Sequence, residues 1–383
     1  MEKEKRLTFF EAAAIITGYG VGGGIMAVPY LASLSGLAVA AVVLVVAYGI
    51  SLLMHLMIAE VMLRDNASGQ LLELFEKYLF RGRLAWLMWI FFALVVLAFM
   101  ASLAAFIAGG GEILAELLHF PLWVGYWLTY AIAAGVVFFG LKALGISEKV
   151  AVIGIVVLVG IFAVGAARQP VFLSTAVTGN LQTYLALYGM VMFSFFAIFS
   201  VPQAAQGLSW NRRLLPKAIA VGIGTNALII ATLTVTCLAV PGEVTRVAII
   251  GLGRSLGGWA TIVGSVFILL AMLTSYWSVS FALAVVVEER LGWGPRQSWL
   301  AATLPAFLIA ITGALDFLGF MRLAGGAIAV LIAVMVVPLV NAARRYGRVE
   351  SPEWTLGIWG GLPFQIVVVA GFLLMAAGSM VSL

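Results

Sequence analysis

The sequence predicts an all-α integral membrane protein with eleven transmembrane helices, and composition and hydrophobic patterning carry this prediction. Hydrophobic residues make up 64% of the 383 residues and charged residues only 10%, whereas a soluble domain has about 25% charged residues. Eleven apolar runs are each long enough to cross a bilayer, which takes about 20 residues. We therefore predict that nearly all of the chain lies in the membrane, as a single transmembrane domain over residues 1–383.

The predicted spans follow one another with short connections. They lie at about 8–33, 36–63, 84–114, 121–140, 148–167, 184–209, 215–239, 256–287, 298–314, 318–341 and 358–381. The third and eighth runs are long, so we predict that these helices are tilted. Ser68–Arg81 has its apolar residues on one helical face, which predicts an amphipathic helix on the cytoplasmic surface. The polar stretch Gln169–Thr183 is predicted to be an extracellular loop.

The basic residues are distributed unevenly between the two sides of the predicted bundle. With the N-terminus in the cytoplasm, all but four of the 21 lysines and arginines fall on the cytoplasmic side. The four exceptions are Arg168, Arg246, Arg254 and Arg322. Since cytoplasmic loops are rich in Lys and Arg, we predict a cell-membrane protein, in an inner or plasma membrane, with a cytoplasmic N-terminus and an extracellular C-terminus. The net charge of +5 then needs no nucleic-acid partner.

The first span is predicted to be broken between Thr17 and Pro29. Its glycines are Gly18, Gly20, Gly22, Gly23 and Gly24. Glycine disfavours helix by about 1 kcal/mol relative to alanine, and exposed backbone at membrane depth is tolerated only inside protein or along a cavity. The glycine spacing also matches a dinucleotide-binding fingerprint, but no strand precedes it, so we reject that interpretation.

The sixth span is predicted to be broken as well, within Met192–Gln203, because Pro202 removes a backbone donor and disfavours helix at Val201. Two interrupted spans that lie five spans apart predict an inverted-repeat transporter with a binding site near the membrane midplane. The predicted halves are residues 7–167 and 184–341, with the eleventh span, 358–381, at the periphery.

Two motifs at these breaks resemble those of one family. In the first span, Gly22-Gly23-Gly24-Ile25-Met26-Ala27-Val28-Pro29 is similar to the G-S-G-I-x-x-L-P signature of the amino acid–polyamine–organocation superfamily. In the sixth span, Phe195-Phe196-Ala197-Ile198-Phe199-Ser200 is similar to its F-F-A-F-x-G. The following Asn211-Arg212-Arg213 resembles the branch that carries neutral and aromatic amino acids. The resemblance implies a LeuT-type fold with eleven rather than twelve spans, and secondary transport of an amino acid by alternating access.

The predicted substrate site combines the two breaks. It consists of Tyr19, Gly22, Gly23, Gly24, Phe195, Phe196 and Phe199. Amides around the three glycines start the second half-helix, where free N–H groups and the helix dipole favour a carboxylate. Freed carbonyls near the phenylalanines would accept the substrate ammonium, and the rings would shape the side-chain pocket. The ordinary alternative is that each phenylalanine simply faces lipid or the protein core.

Span eight carries a candidate cation site. Ala271, Thr274 and Ser275 share one helical face, and their carbonyl and hydroxyl oxygens suit a hard cation. The pattern resembles the sodium site of the LeuT-type fold, which implies a site completed by the carbonyls of Thr17 and Gly20. The alternative is that serine and threonine in membrane helices usually bond back to their own helix.

Proton coupling is the alternative to sodium. Proton-coupled relatives carry a lysine in span five at the cation site, and our alignment places Gly160 there, which favours sodium. Glu11, His55, Glu60 and Glu112 remain candidate proton carriers. The three glutamates lie near span ends, where snorkelling or an arginine partner is the ordinary explanation. His55 lies deeper, where a lone histidine is more often structural than a relay.

Taken together, these features predict a sodium-coupled symporter of a neutral or aromatic amino acid in a lipid bilayer. The alternatives are a proton-coupled transporter and an amino acid-sensing receptor on the same fold. We expect no cofactor besides the coupling ion and no obligate protein partner. An enzyme is disfavoured because the sequence has no H-E-x-x-H motif and only two histidines, His55 and His119. Cys237 is the only cysteine, which excludes an intrachain disulfide.

Overall fold

The computed structural model describes residues 6–66, 69–80, 82, 85–170, 176–313, 326, 331 and 335–381. All regular secondary structure in these residues is helical, which confirms the predicted class. The helices are α1 (Phe9–Gly20), α2 (Gly24–Ser35), α3 (Leu37–Arg64), α4 (Leu71–Tyr78), α5 (Leu87–Leu118), α6 (Leu122–Phe138), α7 (Leu141–Ala167), α8 (Leu181–Ser194), α9 (Ser200–Gly207), α10 (Leu215–Ala239), α11 (Ala248–Leu256), α12 (Gly258–Leu291), α13 (Pro295–Thr312), α14 (335–346) and α15 (Leu362–Ser379).

Several of these helices can cross a membrane. Among the described residues, six are long and apolar enough to do so, and a bent pair adds a seventh span. The pair is α1 and α2, which meet at an angle of 55°, so the predicted break of the first span is present. The total of eleven spans stays a prediction, because most of the tenth, at 318–341, lies outside the described residues together with Arg322.

The start of one predicted span was wrong, and one helix was not predicted. Span five begins at Leu141 rather than at 148, so Glu148 lies two turns inside the helix. Hydropathy missed these turns because they carry polar residues and pack against α1 instead of facing lipid. Before span eight, the chain forms a separate helix, α11, that the sequence did not predict. Gly257, with φ of 100°, turns the chain from α11 into α12.

Two connecting segments have the predicted character in the part that the structure describes. In α4, the buried side chains are Leu71, Leu72, Leu74, Phe75 and Tyr78, which confirms an amphipathic helix. Ser68 and Arg81, the ends of the predicted helix, lie outside the described residues. The connection before α8 is not helical at 176–180, and the Thr178 hydroxyl donates to the Leu34 carbonyl at 3.1 Å. Residues 171–175 of that predicted loop lie outside the described residues.

The two halves of the first span are enclosed by other helices. α1 packs against α7, α9, α10 and α12, while α2 packs against α3, α8, α10 and α11. The break between them is therefore surrounded by protein, which is the setting in which non-helical backbone is tolerated at membrane depth.

Candidate functional site

The first break spans Val21 to Gly23. The Val21 amide donates to the Thr17 carbonyl at 3.0 Å, which ends α1. In the described part of the chain, no hydrogen bond uses the amides of Gly22, Gly23 or Gly24. A Cβ at Gly22 would lie 2.5 Å from Ser275 Oγ, and one at Gly24 would lie 2.6 Å from Ser194 Oγ. Glycine is thus required by close packing, and three amides at the start of α2 keep their hydrogen-bonding capacity.

The second break lies between Ser194 and Ser200. The prediction that Pro202 causes it, with helix disfavoured at Val201, was wrong in position: both residues lie in the first turn of α9. There the amide that proline lacks has no partner within the helix, so proline costs little. The break instead falls on the Phe-Phe-Ala-Ile-Phe stretch, where the backbone turns before α9 begins.

Three polar side chains hold the backbone of the second break. The Ala197 amide donates to Nε2 of the fully buried His55 at 3.1 Å, and the Ser51 hydroxyl donates to the Phe195 carbonyl at 3.1 Å. Because Nε2 accepts, the ring proton is on Nδ1, which donates to the Ser51 carbonyl at 2.7 Å. Asn226 Nδ2 donates to the Ser194 carbonyl at 2.6 Å. His55, Ser51 and Asn226 therefore each contribute a hydrogen bond that a continuous helix would make itself.

The predicted aromatic residues come together, with one exception. Tyr19 and Phe196 lie edge to face with their ring centroids 6.4 Å apart, and Phe196 and Phe199 are 6.2 Å apart. Phe99 of α5, which the sequence did not predict, lies 4.7 Å from Phe199. Phe195 contacts Tyr48 instead, at 6.1 Å. All four members of this cluster, Tyr19, Phe196, Phe199 and Phe99, are buried.

The carbonyls at the second break differ in whether they already accept a hydrogen bond. The Phe195 carbonyl already accepts a hydrogen bond from Ser51. Among the described residues, no hydrogen bond reaches the carbonyl of Phe196. Of the three carbonyls predicted to meet the substrate ammonium, those of Phe196 and Phe199 therefore keep their capacity within the described residues, whereas that of Phe195 is occupied.

The predicted cation-site residues on α12 face α1, but they meet different carbonyls from those predicted. The Ser275 hydroxyl lies 3.2 Å from the carbonyl oxygens of both Gly18 and Tyr19. Thr274 Oγ1 donates to the Ala271 carbonyl at 3.0 Å, the self-bonding arrangement named above as the alternative.

Thr17 already makes other hydrogen bonds, whereas none among the described residues reaches the Gly20 carbonyl. Thr17 Oγ1 donates to the carbonyls of Ala13 and Gly222, at 3.1 and 3.0 Å, and its own carbonyl accepts from Val21. Gly20 lies against the Asn226 amide.

A residue that sequence reasoning did not select also reaches this region. Glu148 of α7 is fully buried, and its Oε1 accepts a hydrogen bond from Ser278 Oγ at 2.6 Å. Its other oxygen, Oε2, packs against Gly18, and Thr274 Cβ lies on the same side of that glycine. Gly160, which our alignment placed at the cation site, is exposed with open space around it, so that placement was wrong. If span five had been predicted to begin at Leu141, Glu148 would have been recognised as an acidic residue inside a membrane helix.

Unlike His55, the three glutamates predicted as candidate proton carriers lie away from the breaks. Glu11 caps α1 and contacts Lys142 at 2.6 Å and Lys149 at 3.7 Å. Glu60 is paired with two arginines: Arg64 of its own helix at 2.9 Å, and Arg344 of α14 at 2.8 Å. Glu112 is exposed on α5. The two buried glutamates therefore stabilise helix ends through ion pairs.

Two solved transporter structures share this architecture. MhsT in complex with L-phenylalanine matches with a TM-score of 0.65 at 18% identity, over 97% of this chain and 98% of that one. Mhp1, a nucleobase-cation-symport-1 family transporter in a closed conformation with bromovinylhydantoin bound, matches with a TM-score of 0.63 at 14% identity, over 98% of this chain and 92% of that one. These likenesses confirm the predicted LeuT-type fold.

The sequence comparisons give the family. A search among curated proteins gave no match. The sequence profile of the tryptophan/tyrosine permease family matches residues 5–378, which is nearly the whole chain. The protein is a multi-span secondary transporter of amino acids and not an enzyme. With its two broken spans and this match, the chain belongs to the tryptophan/tyrosine permease family.

Proposed function

We propose that this protein is a symporter that moves an aromatic amino acid of the tryptophan and tyrosine class across the cell membrane with a coupling cation. The observation that carries the proposal is the meeting of the two breaks around the buried cluster of Tyr19, Phe196, Phe199 and Phe99. Its membership in the tryptophan/tyrosine permease family supports this substrate class. So does MhsT, the structural neighbour whose structure contains L-phenylalanine. The sequence also resembles the branch of the amino acid–polyamine–organocation superfamily that carries neutral and aromatic amino acids, which fits the same proposal.

The carboxylate and the ammonium group of the amino acid would bind at different breaks. The amides of Gly22, Gly23 and Gly24 start α2, where the helix dipole and free N–H groups favour the substrate carboxylate. The carbonyl of Phe196 would accept the ammonium group. An aromatic side chain would then pack on the rings of Tyr19 and Phe199, which gain from edge-to-face contact. No charged side chain is required for this substrate, which agrees with the cost of burying one.

Sodium is the coupling ion that we propose from the oxygen-rich face of α12. Ala271, Thr274 and Ser275 supply a carbonyl and two hydroxyls, the oxygen ligands that hard cations prefer. Thr17 and Gly20 complete the predicted set. The residues present fit a cation in a further respect, since an orphaned carboxylate oxygen of Glu148 lies beside this face.

The proton is the second candidate for the coupling ion. The buried Glu148 favours it, because a carboxylate can carry a proton.

We further propose that the N-terminus is cytoplasmic and the C-terminus extracellular, as the distribution of basic residues favours.

Uptake into proteoliposomes tests the proposal. We expect radiolabelled tryptophan, tyrosine or phenylalanine to accumulate under an inward cation gradient, with leucine and arginine as comparison substrates. A sodium gradient and a pH gradient, imposed separately, distinguish the two coupling ions. Binding of an aromatic amino acid without flux under either gradient would contradict transport and favour the receptor.

A further inference from the structure

We propose that Glu148 is the charged ligand of the coupling cation, so that its free carboxylate oxygen binds the sodium ion or proton that moves with the substrate. The inference rests on the proposed symport and names a residue that the resemblance did not supply. Glu148 lies on α7, two turns from its start, and its side chain is fully buried.

The two oxygens of this carboxylate have different surroundings. Oε1 accepts a hydrogen bond from Ser278 Oγ on α12 at 2.6 Å. Within the described part of the chain, Oε2 is buried without a hydrogen-bond partner and packs against Gly18 of α1. The Gly18 carbonyl in turn lies 3.2 Å from Ser275 Oγ. Carboxylate, hydroxyl and carbonyl oxygens of three helices therefore lie around Gly18.

The charge of Glu148 has no partner among the described residues. Among the ion pairs of the described residues, none includes Glu148. The lysines on the same helix, Lys142 and Lys149, are both directed at Glu11. A fully buried carboxylate without a counter-charge is strongly unfavourable, so it is stable when a cation binds it. The free oxygen Oε2 is where that cation would bind.

The position of Glu148 explains how a cation would be coupled to the substrate. Gly18 lies two residues before the end of α1, and α2 begins the part of the same span that meets the substrate carboxylate. A cation on Oε2 neutralises the carboxylate that α1 packs on and thereby stabilises one arrangement of α1 against α7 and α12. Cation and substrate then favour the same arrangement of one broken span.

Thermal unfolding of the purified full-length protein tests cation binding without relying on transport. The melting temperature is measured in sodium chloride and in potassium chloride at equal ionic strength, and over a pH series. We expect the wild type to be stabilised by sodium over potassium, or by protons, and Glu148→Gln to lose that specific response. Glu116→Gln, an exposed glutamate on α5, is the matched control and should respond like the wild type.

Transport by the same variants gives the second readout. Glu148→Gln should lose gradient-driven accumulation by about tenfold or more, the effect of about 1.4 kcal/mol, and keep the exchange of labelled for unlabelled substrate. A Glu148→Gln variant that keeps the cation response or accumulates substrate normally would overturn the inference. If the wild type moves no aromatic amino acid, the proposed function fails, whereas a cation response that is lost in Glu148→Gln still supports this site.

A third variant covers the case in which Glu148→Gln does not fold. Ser278→Ala keeps the carboxylate and removes the hydroxyl that donates to it. The cation concentration for half-maximal stabilisation should then shift by roughly tenfold, the size expected for a lost hydrogen bond to a charged group. An unchanged midpoint in Ser278→Ala would contradict a cation bound at Glu148.

Discussion

At the second break, side chains of α3 make the hydrogen bonds that a continuous helix would make within itself. His55 accepts from the Ala197 amide, and Ser51 donates to the Phe195 carbonyl. Satisfying these groups is necessary because a buried backbone amide or carbonyl without a partner costs about 1–3 kcal/mol. His55 thus positions the stretch that carries Phe196 and Phe199.

This role predicts a graded effect of substitutions at His55. His55→Ala leaves the Ala197 amide without an acceptor and should destabilise the protein by about 1–3 kcal/mol, with a higher substrate Kd. His55→Gln places an amide oxygen near the position of Nε2 and should recover part of both losses. Thermal unfolding and substrate titration measure the two quantities. Equal losses in both variants would contradict the positioning role, because only one of them removes the acceptor.

The aromatic residues at this break predict a separation between stability and binding. Phe199→Ala and Phe195→Ala each remove a buried ring, so each should cost about 3–5 kcal/mol of stability. Only Phe199 belongs to the cluster with Tyr19 and Phe196, and an edge-to-face contact contributes about 0.5–1.5 kcal/mol. Phe199→Ala should therefore weaken tryptophan binding several-fold more than Phe195→Ala, as measured by titration. A larger loss of tryptophan binding in Phe195→Ala than in Phe199→Ala would contradict the place of Phe199 in the proposed site.

At the scale of helices, glycines let α1 lie unusually close to α10. A Cβ at Gly222 of α10 would lie 2.8 Å from the Ala13 carbonyl and 2.8 Å from Ile16 Cβ, both on α1. At Gly224, one half-turn further, a Cβ would meet only the Tyr48 hydroxyl among the described residues, at 4.0 Å. The two positions belong to the same helix but differ in what a methyl group would meet.

Alanine at these two glycines should therefore have opposite effects. Gly222→Ala should cost about 1–3 kcal/mol, because overpacking displaces α1, and uptake should fall with it. Gly224→Ala should be neutral or stabilising by up to about 1 kcal/mol, since alanine favours helix. Thermal unfolding and initial uptake rates check both variants. Normal uptake by Gly222→Ala would show that the α1–α10 contact does not position the break.

The two breaks show which features of the helices could be predicted from the sequence and which could not. The glycine run in the first span predicted its break, because low helix propensity is a local property. The position of the second break and the short helix α11 were not predicted, since both depend on contacts with other helices. Glu148 was missed for a related reason: apolar runs identify lipid-facing turns, whereas its part of α7 packs on α1. Partners such as Ser278 are 130 residues away in sequence.

For the molecule as a whole, ion pairs tie helix ends together outside the central region. Glu60 binds Arg344 of α14, and Arg290 at the end of α12 pairs with Glu76 of α4 at 2.5 Å. These contacts involve residues predicted to lie on the cytoplasmic side. By contrast, Glu148 is buried beside the first break without such a pair. The described ion pairs therefore lie at one end of the bundle, whereas Glu148, near its centre, has a carboxylate oxygen without a partner in the described residues.

One broken span that serves both ligands makes a quantitative prediction for the whole transporter. If substrate and cation stabilise the same arrangement of α1 and α2, each must tighten the binding of the other by the same factor, because binding linkage is reciprocal. We expect a factor of about 5–150, the usual range for such coupling. The tryptophan Kd is measured with and without the cation that drives uptake. The cation concentration for half-maximal stabilisation is measured with and without tryptophan. In Glu148→Gln both factors should fall to about one. Persistent coupling in that variant would mean that the cation acts through another part of the protein, since the proposed contact between the cation and the broken span is Glu148.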